Sequence, residues 1–343
     1  METYLETFQL KNHFVYYTMA TMQWISFCNN NTWQITSCSI VDGLLKMIRN
    51  HWNQFECNIF PGPQPISIER SHFQTLKENS YWVCAKTDGV RYILACLYYG
   101  GQNYMFLINR KKEVFLLNFE IDIEAFKGTI LDGELVRNNE TNAYEYHMYD
   151  VTTIYGKDVT NLKHHERIQH IMQFSSNIRS TNVKPPFDIK IKTFFPLNQM
   201  KKYVDDIVPT LTHDIDGYIF TPDDDPVKSG THDRMFKWKE RMKNTVDFIV
   251  DKKNKSEDEY VLKISKGKYA TCLHDQKVIL SDSLKSQIST KTIIECQYVS
   301  QNVWKALWVR KDKNHPNNYL TYTKTLLNIR ENIQVQEFMS MDT

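Results

Sequence analysis

The stretch Lys86-Thr87-Asp88-Gly89-Val90-Arg91 says most about the fold and chemistry of this 343-residue chain. The apolar run Tyr92-Ile93-Leu94-Ala95-Cys96-Leu97 follows at once and predicts a buried strand. A lysine amine must be neutral to act as a nucleophile, and its reference pKa is about 10.4. Neighbouring cations and burial lower such a pKa, and an arginine also holds phosphate through paired hydrogen bonds. The stretch therefore predicts a covalent lysine nucleophile with Arg91 beside it.

A structural alternative exists for the same residues. Lys-Thr-Asp-Gly also forms tight turns, with Asp-Gly at the corner and a strand on either side. The stretch alone does not distinguish a structural turn from a reactive lysine. Motifs in the remainder of the chain are needed to choose between them.

Composition is that of a globular protein, with 41% hydrophobic and 24% charged residues and a length sufficient for two domains. The net charge of +2 neither requires nor excludes nucleic acid, because binding depends on a local basic face. The seven cysteines are scattered and contain no Cys-x-x-Cys, which favours reduced thiols in an intracellular protein over disulfides or a zinc site. We expect neither a secretory signal nor a membrane-spanning segment, since long apolar runs are lacking.

Hydrophobic periodicity predicts a mixed α and β first part. Helical spacing occurs from Ile40 to Trp52 and from Leu162 to Phe174. Strand pairs are expected at Tyr92–Tyr99 with Tyr104–Asn109, and at 129–136 with 144–151, each separated by turn-forming residues. Shorter elements follow, namely a helix at 201–208 and strands at 215–220 and 235–239.

The pattern changes beyond Arg241. Five short strands are predicted at close spacing, which is typical of a small barrel. They are expected at 246–250, 260–264, 269–273, 277–280 and 292–299. A helix from about Thr323 to Met339 ends the chain.

Several short motifs follow the lysine stretch in a fixed order. They are Arg110, Asp132-Gly133-Glu134, Tyr149-Asp150, Asp216-Gly217, Phe236-Lys237-Trp238-Lys239 and Arg310-x-Asp312-Lys313. This ordered set resembles the covalent nucleotidyltransferases, the superfamily of polynucleotide ligases and mRNA capping enzymes. Two further stretches, 62–70 and 322–329, look most like the compact capping enzymes of large DNA viruses.

The resemblance implies an α+β fold. We expect an antiparallel-sheet, ATP-grasp-like nucleotidyltransferase domain at 1–242 and a C-terminal oligonucleotide-binding (OB) barrel at 243–320, with a cleft between them that opens and closes. The terminal helix, within 323–343, would pack back near the first domain.

The resemblance also implies an activity, GTP:RNA guanylyltransferase. Lys86 would attack the α-phosphate of GTP, and the bound GMP would pass to 5′-diphosphate RNA to form a GpppN cap. Lys237 and Lys239, alternating on a strand, would neutralise phosphate charge. Arg110 and Glu134 would hold the ribose, with Arg91 reaching the ribose or phosphate.

Further roles follow from the same resemblance. Tyr149 would stack on guanine, and Asp216 would organise Mg²⁺ or Mn²⁺. Asp132 is a weaker candidate. Arg310, Asp312 and Lys313, assisted by Asp247, would engage the β- and γ-phosphates. Six lysines offer contacts to RNA phosphates, although they also suit an ordinary soluble surface, namely Lys252, Lys253, Lys255, Lys263, Lys266 and Lys268.

Two alternatives remain open, an ATP-dependent polynucleotide ligase and an inactive RNA-binding protein on the same fold. Ligases usually carry Glu-Gly where this chain has Asp216-Gly217, and they carry an Arg-Phe-Pro-Arg stretch that is absent here. The sequence departs from the capping pattern too, with Tyr149 in place of Phe and Glu240-Arg241 in place of proline. Capping would also need an RNA triphosphatase and a methyltransferase on other chains, inside an infected cell or in a virion.

Overall fold

A computed structural model describes residues 21–52, 60–180, 185–253, 259–267 and 269–341. The described residues group into two compact units. The first is drawn from Met1–Ile66 and Asn79–Phe236, and the second from Ser67–Glu78 and Lys237–Asp342. No helix in the described part of the chain combines the length and apolar character that crossing a membrane requires.

The strands run in chain order from β1 to β22. They are β1 (Met22–Phe27), β2 (Asn30–Ile35), β3 (Pro63–Ser67), β4 (Tyr81–Thr87), β5 (Val90–Tyr99), β6 (Gln102–Asn109), β7 (Val114–Leu116), β8 (Phe119–Glu120), β9 (Thr129–Arg137), β10 (Tyr144–Ile154), β11 (Lys157–Asp158), β12 (Arg179–Ser180), β13 (Asp188–Ile191), β14 (Phe195–Pro196), β15 (Ile215–Pro222), β16 (Gly230–Trp238), β17 (Thr245–Lys252), β18 (Tyr260–Lys266), β19 (Tyr269–Leu273), β20 (Lys277–Ile279), β21 (Thr292–Ser300) and β22 (Val303–Val309).

The α-helices are fewer and mostly short. They are α1 (Cys38–His51), α2 (Phe73–Glu78), α3 (His164–Ser176), α4 (Met200–Lys202), α5 (Asp282–Lys285), α6 (Tyr319–Glu331) and α7 (Val335–Met339). The helix expected at 201–208 is α4 followed by one π-turn at Tyr203–Ile207.

A large, mostly antiparallel sheet forms the centre of the first unit. Its order is β1-β2-β7-β6-β5-β9-β10-β11, and β13 joins β10 in parallel. The predicted pairs β5–β6 and β9–β10 are both confirmed. Side chains of β5 are buried on both faces, with Leu94 in one apolar cluster and Ile93 in another that includes Leu44 of α1. Burial on both faces explains why β5 reads as a continuous apolar run rather than an alternating one.

A second sheet of the first unit carries the lysine motif. Its order is β14-β4-β15-β16-β3. Although β4 and β5 are separated only by Asp88-Gly89, β4 pairs with β15 and β5 pairs with β6 and β9. The predicted Asp-Gly corner with a strand on either side is therefore present, but it is not a hairpin, because the corner passes the chain from one sheet to another.

The second unit is built on one antiparallel-rich sheet with the order β19-β18-β17-β21-β22-β20. All five predicted strands are present, and β22 is a sixth that the strand prediction missed. Phe248, Leu262 and Trp304 fill its core. Among the described residues the hydrogen-bonded ladder does not close into a barrel, but the arrangement is consistent with an OB fold. The fold class is α+β, as predicted.

Two helices replace the single helix predicted at the C-terminus. α6 ends at Glu331, and Asn332 adopts a left-handed conformation with φ of 46°. Asparagine tolerates this backbone region better than most residues and often ends helices in this way. Trp238 donates from Nε1 to the carbonyl of Ile333 at 2.9 Å, which ties the break to the rest of the second unit.

Candidate active site

Lys86 and Asp216 lie on the neighbouring strands β4 and β15. Lys86 Nζ is 2.8 Å from Asp216 Oδ1, and the lysine side chain is 25% exposed. Gly217 is opposite Lys86 in the strand register, and an irregularity between Ile215 and Gly217 offsets the intervening aspartate. The amine thus contacts a carboxylate while a quarter of the side-chain surface stays exposed to solvent.

Glu134 joins β9 to the lysine stretch. The buried Thr87 hydroxyl donates to Glu134 Oε2, and Lys192 Nζ lies 2.9 Å from Thr87 Oγ1 and 3.4 Å from Glu134 Oε2. A Cβ on Gly89 would stand 2.5 Å from the Leu135 carbonyl oxygen, so only glycine allows the turn to approach β9 this closely. The lysine stretch and Glu134 therefore form one packed cluster.

Lys192 is a site residue that the sequence analysis missed. It follows β13 and is buried, although lysine is seldom buried without a partner. Asp188-Ile189-Lys190-Ile191-Lys192 reads as an ordinary alternating strand with a polar exposed face. The only signal in the sequence was that alternation, which does not distinguish a solvated lysine from one directed into a site.

Arg91 is fixed by a buried carboxylate. Its Nε lies 2.8 Å from Asp132 Oδ1, its Nη2 pairs with Oδ2, and its Nη1 donates to the Pro63 carbonyl at 2.8 Å. Asp132 is only 2% exposed and also accepts from the Tyr149 hydroxyl at 2.7 Å. Burial alone would lower the pKa of Arg91, but the facing Asp132 outweighs it and raises that pKa. Asp132 is therefore a hub that holds two predicted site residues.

Arg110 belongs to the same group. It lies just past β6 and is exposed, and burial of part of its surface together with the positive charge of Arg91 lowers its pKa. Two neighbouring cations repel each other, so this end of the site favours an anion.

Tyr149 occupies an irregular position in β10, between the register partners Met148 and Asp150. Its ring is half-buried and has Lys192 Nζ 5.4 Å from its centroid. Burial raises the pKa of its hydroxyl well above the usual value, so the phenol stays protonated and donates to Asp132. A core tyrosine would be fully covered, whereas this ring is partly accessible.

Buried ionic contacts support β10 from behind. Arg167 of α3 binds Asp150 through both oxygens, at 2.7 and 3.1 Å, and donates to the Leu162 carbonyl. Burial alone would raise the pKa of Asp150, but Arg167 outweighs it and lowers that pKa. Asp150 thus anchors α3 rather than a ligand.

Lys237 and Lys239 belong to the second unit, as its first residues after Phe236. Both side chains are half-buried on either side of the buried Trp238, which agrees with the predicted alternation. The prediction that both lie in the strand is wrong, because β16 ends at Trp238. The two lysines and Arg241 line a cavity whose wall includes Asn328.

The second unit also gathers the residues predicted to engage the outer phosphates. Arg310 contacts Asp312 at 2.7 Å, Glu295 at 2.8 Å and Asp247 at 3.2 Å. Lys313 pairs with the other oxygen of the buried Asp247. Hydrogen bonding from Arg310 lowers the pKa of Asp312 to about 2. Glu295, on β21, was missed because it reads as one polar position in an alternating strand.

Three of the six lysines predicted as RNA contacts have partners in the second unit. Lys253 pairs with Glu259, Lys263 pairs with Asp251, and Lys266 lies 5.3 Å from the ring centroid of Tyr319. Lys252 is exposed at the end of β17. Lys255 and Lys268 lie outside the described residues.

A strand-borne lysine beside a carboxylate, with two arginines and a glutamate from the adjoining sheet, is the residue set expected of a covalent nucleotidyltransferase. The model of the mRNA capping enzyme catalytic domain matches residues 30–241, and that of the mRNA capping enzyme C-terminal domain matches residues 231–339. The chain therefore belongs to the mRNA capping enzyme family, and it is an enzyme with guanylyltransferase activity.

The chain is similar over most of its length to several proteins that are named as mRNA-capping enzymes or their subunits. The chain is 28% identical to the mRNA-capping enzyme subunit alpha of Neurospora crassa, covering 83% of this chain and 84% of that one. It is 27% identical to the Schizosaccharomyces pombe subunit, covering 82% and 79%, and 29% identical to the Mus musculus mRNA-capping enzyme, covering 76% and 46%. Among solved structures, a mycobacterial DNA ligase D complexed with ATP and MES matches with a TM-score of 0.42 and 12% identity, covering 76% and 97%.

Proposed function

We propose that Lys86 is the nucleophile of the guanylyltransferase reaction. In the first step its Nζ forms a bond to the α-phosphorus of GTP, the bond from that phosphorus to the bridging oxygen breaks, and pyrophosphate leaves with the electron pair. The amine proton is released to solvent. In the second step the terminal phosphate oxygen of 5′-diphosphate RNA attacks the same phosphorus, the P–N bond breaks, and Lys86 regains a proton. Splitting one transfer into two is the usual gain from covalent catalysis.

The observation that carries this proposal is the 2.8 Å contact between Lys86 Nζ and Asp216 Oδ1. The carboxylate orients the amine and restrains the lysine side chain from adopting solvent-exposed conformations. The amine gives up its proton before it bonds to phosphorus, so its charge no longer opposes binding of another cation at Asp216.

A divalent metal is part of the proposal. One carboxylate with retained waters and substrate phosphates is the donor set that Mg²⁺ and Mn²⁺ prefer, and the partly exposed Asp216 fits it. The metal would supply charge neutralisation at the phosphates. Asp216 is the residue proposed to hold it.

The nucleotide would be held by the first unit. Arg91 is held rigidly by Asp132, and Arg110 adds a second positive charge nearby, so the pair suits phosphate or ribose oxygens. Glu134, at the edge of the same cluster, accepts hydrogen bonds and suits ribose hydroxyls. Tyr149 would stack on the base, since its ring stays partly accessible while its hydroxyl is fixed.

The second unit would act on the phosphates. We assign phosphate neutralisation to Lys237 and Lys239, and engagement of the β- and γ-phosphates to Arg310, Asp312 and Lys313. Asp247 contacts both Arg310 and Lys313, which makes it the residue that positions them. The resemblance to the family supports these assignments.

The partners and setting belong to the same proposal. The RNA substrate would carry a 5′-diphosphate supplied by a separate RNA triphosphatase, and the cap would pass to a separate methyltransferase. The stretches 62–70 and 322–329 support a source in a large DNA virus and hence action in an infected cell or virion, although the relatives named above are fungal and animal.

Nucleotide labelling tests the proposal. The full chain is incubated with α-labelled GTP or α-labelled ATP and Mg²⁺ or Mn²⁺, denatured, and separated on a gel. We expect label from GTP to stay with the protein and to be released by added pyrophosphate or by 5′-diphosphate RNA. Label from ATP alone would indicate a ligase, and no label from either nucleotide would indicate an inactive binding protein.

A further inference from the structure

Three side chains with metal-binding atoms meet on one face of the large sheet. Glu145 and His147 lie two residues apart on β10, so both point to the same face. His213 lies in the connection before β15, and its ring centroid is 4.9 Å from that of His147. One ligand atom from each of the three residues lies within 4.8 Å of the others.

We propose that Glu145, His147 and His213 form a binding site for a divalent transition metal of the zinc type. Two imidazoles and one carboxylate are an established set for Zn²⁺, which binds both nitrogen and oxygen at about 2.0–2.2 Å. Such ligand atoms stand about 3.4 Å apart around a tetrahedral ion. The three ligand atoms all lie within 4.8 Å of one another, and the Glu145–His147 pair is at 2.9 Å, so small side-chain rotations would give this spacing.

A buried nitrogen without a partner points to a ligand. His213 is only 9% exposed, and its Nδ1 has no hydrogen-bond partner among the described residues. A buried polar atom left unpaired is costly, so native proteins usually satisfy it with a protein group, water or an ion. A metal bound by this lone pair would remove the cost.

The carboxylate of the site is already oriented. Asn138 donates to Glu145 Oε1 at 3.1 Å and to Thr212 Oγ1 at 2.8 Å, while Glu145 Oε2 contacts His147 Nε2 at 2.9 Å. One amide therefore positions both the carboxylate ligand and the residue before His213. Outer hydrogen bonds of this kind are typical of metal sites.

The local charge permits a cation. Burial lowers the pKa of His147 and of His213, and the charge of Lys192 adds to both shifts. A second lysine, the exposed Lys190, is opposite His147 on β13 and acts on Glu145. Glu134 lies 3.4 Å from Lys192 and offsets its charge. Glu134 is also directly opposite His147 in the strand register. The two carboxylates, Glu134 and Glu145, balance the two lysines, so a cation bound by the imidazoles would meet no net repulsion.

The consequence would be a link between β10 and the connection that leads into β15. That connection ends next to Ile215 and Asp216, so the metal would restrain the approach to the carboxylate that contacts Lys86. Its role is structural support of the site rather than chemistry on the nucleotide.

Zinc titration of the full chain tests the site. Chelator-treated protein is titrated with Zn²⁺ in excess Mg²⁺ against a chromogenic zinc indicator, and Co²⁺ is then substituted to record its absorption spectrum. We expect one zinc per chain, at least about tenfold weaker binding for His213→Gln and Glu145→Gln, and a zinc-dependent rise in Tm that is smaller in these two variants than in the wild type. Glu145→Gln keeps an acceptor for Asn138, so it decides the matter if His213→Gln fails to fold.

Two control variants locate the metal. His274→Gln removes an exposed imidazole elsewhere, and Asp216→Asn removes the carboxylate proposed for the catalytic ion. Both should bind zinc as the wild type does. The proposal is overturned if the wild type takes up less than one zinc per chain, if His213→Gln binds as tightly as the wild type, or if Asp216→Asn loses the metal instead.

Discussion

The two clusters of cations in this protein are built differently. In the first unit, Arg91 is fixed by Asp132 of β9, which is 2% exposed, whereas Lys86 forms an ion pair with one carboxylate, that of Asp216, among the described residues. In the second unit, Arg310 is 20% exposed and shares three carboxylates. The first arrangement holds a rigid frame around one accessible amine. In the second arrangement the arginine has three carboxylate partners, so the loss of one contact leaves two others.

Replacement of Lys86 should have the largest effect, and the quantity affected is formation of the covalent adduct. We expect Lys86→Ala to reduce formation of the lysyl–GMP adduct by at least about a thousandfold, because no other group would supply the nucleophile. The measurement is labelled GTP retained on the denatured protein. Lys157→Ala, which removes an exposed lysine of β11 in the same unit, is the matched control and should label normally. Persistent labelling of Lys86→Ala would place the nucleophile elsewhere.

Asp132→Asn should break the rigid frame. Removing one partner of a buried ion pair leaves the other charge uncompensated, so we expect the free energy of unfolding to fall by about 3–5 kcal/mol. Urea denaturation measures this, with Asp233→Asn as control because its pair with Lys228 is exposed and worth about 0–1 kcal/mol. Equal losses in both variants would contradict the idea of a rigid buried hub.

Acid should weaken the first unit through His164. Burial lowers the pKa of this histidine to about 4, while Asp150 and Asp223 raise it and Arg167 lowers it. Between pH 6.5 and 4 the unfolded chain binds a proton that the folded chain does not, so stability falls as the pH falls. At pH 5 the loss from this group is about 2 kcal/mol.

The measurement is urea denaturation at pH 7 and pH 5. His164→Gln should lose less stability over this interval than the wild type does. His213, whose pKa is also lowered to about 4 by burial, will account for part of the remaining slope. His274→Gln, an exposed histidine of the second unit, should keep the slope of the wild type, and a His164→Gln slope equal to it would refute the assignment.

Asp247→Asn should have the smallest effect on stability. Arg310 would keep Glu295 and Asp312, and the lost contacts are partly exposed at the arginine and lysine ends, so we expect a loss of about 1 kcal/mol. The informative quantity is the difference in the lost free energy of unfolding between this variant and Asp132→Asn, measured in the same denaturant series. A loss for Asp247→Asn as large as for Asp132→Asn would show that the second cluster is equally rigid.

Local patterns in the sequence were sufficient for the elements. The apolar run after Arg91, the glycines at 100 and 101, and the helical spacing before Trp52 predicted β5, β6 and α1 within a few residues. Side-chain periodicity is a local pattern, and it shows which face of a strand or helix is apolar. The order of short motifs was likewise sufficient to indicate the family.

Those local patterns did not predict which residues contact each other when they are far apart in the chain. The contact of Arg91 with Asp132, the buried position of Lys192 and the meeting of His147 with His213 each join residues that are far apart in the chain. No local pattern tells a polar strand position that faces solvent from one that faces a partner. The division of β4 and β5 between two sheets is another example, since Asp88-Gly89 reads the same in a hairpin.

By itself the sequence determined most of the strands and helices around Lys86 and the class of enzyme, and it marked Lys86 as the candidate nucleophile, because these depend on residue type and local spacing. Only the tertiary structure decided which carboxylate holds Lys86, which cations are buried and where two histidines meet. Those outcomes depend on which strands pair across long stretches of the chain. The free energy of burying and pairing polar groups is a property of the whole sheet and not of one strand.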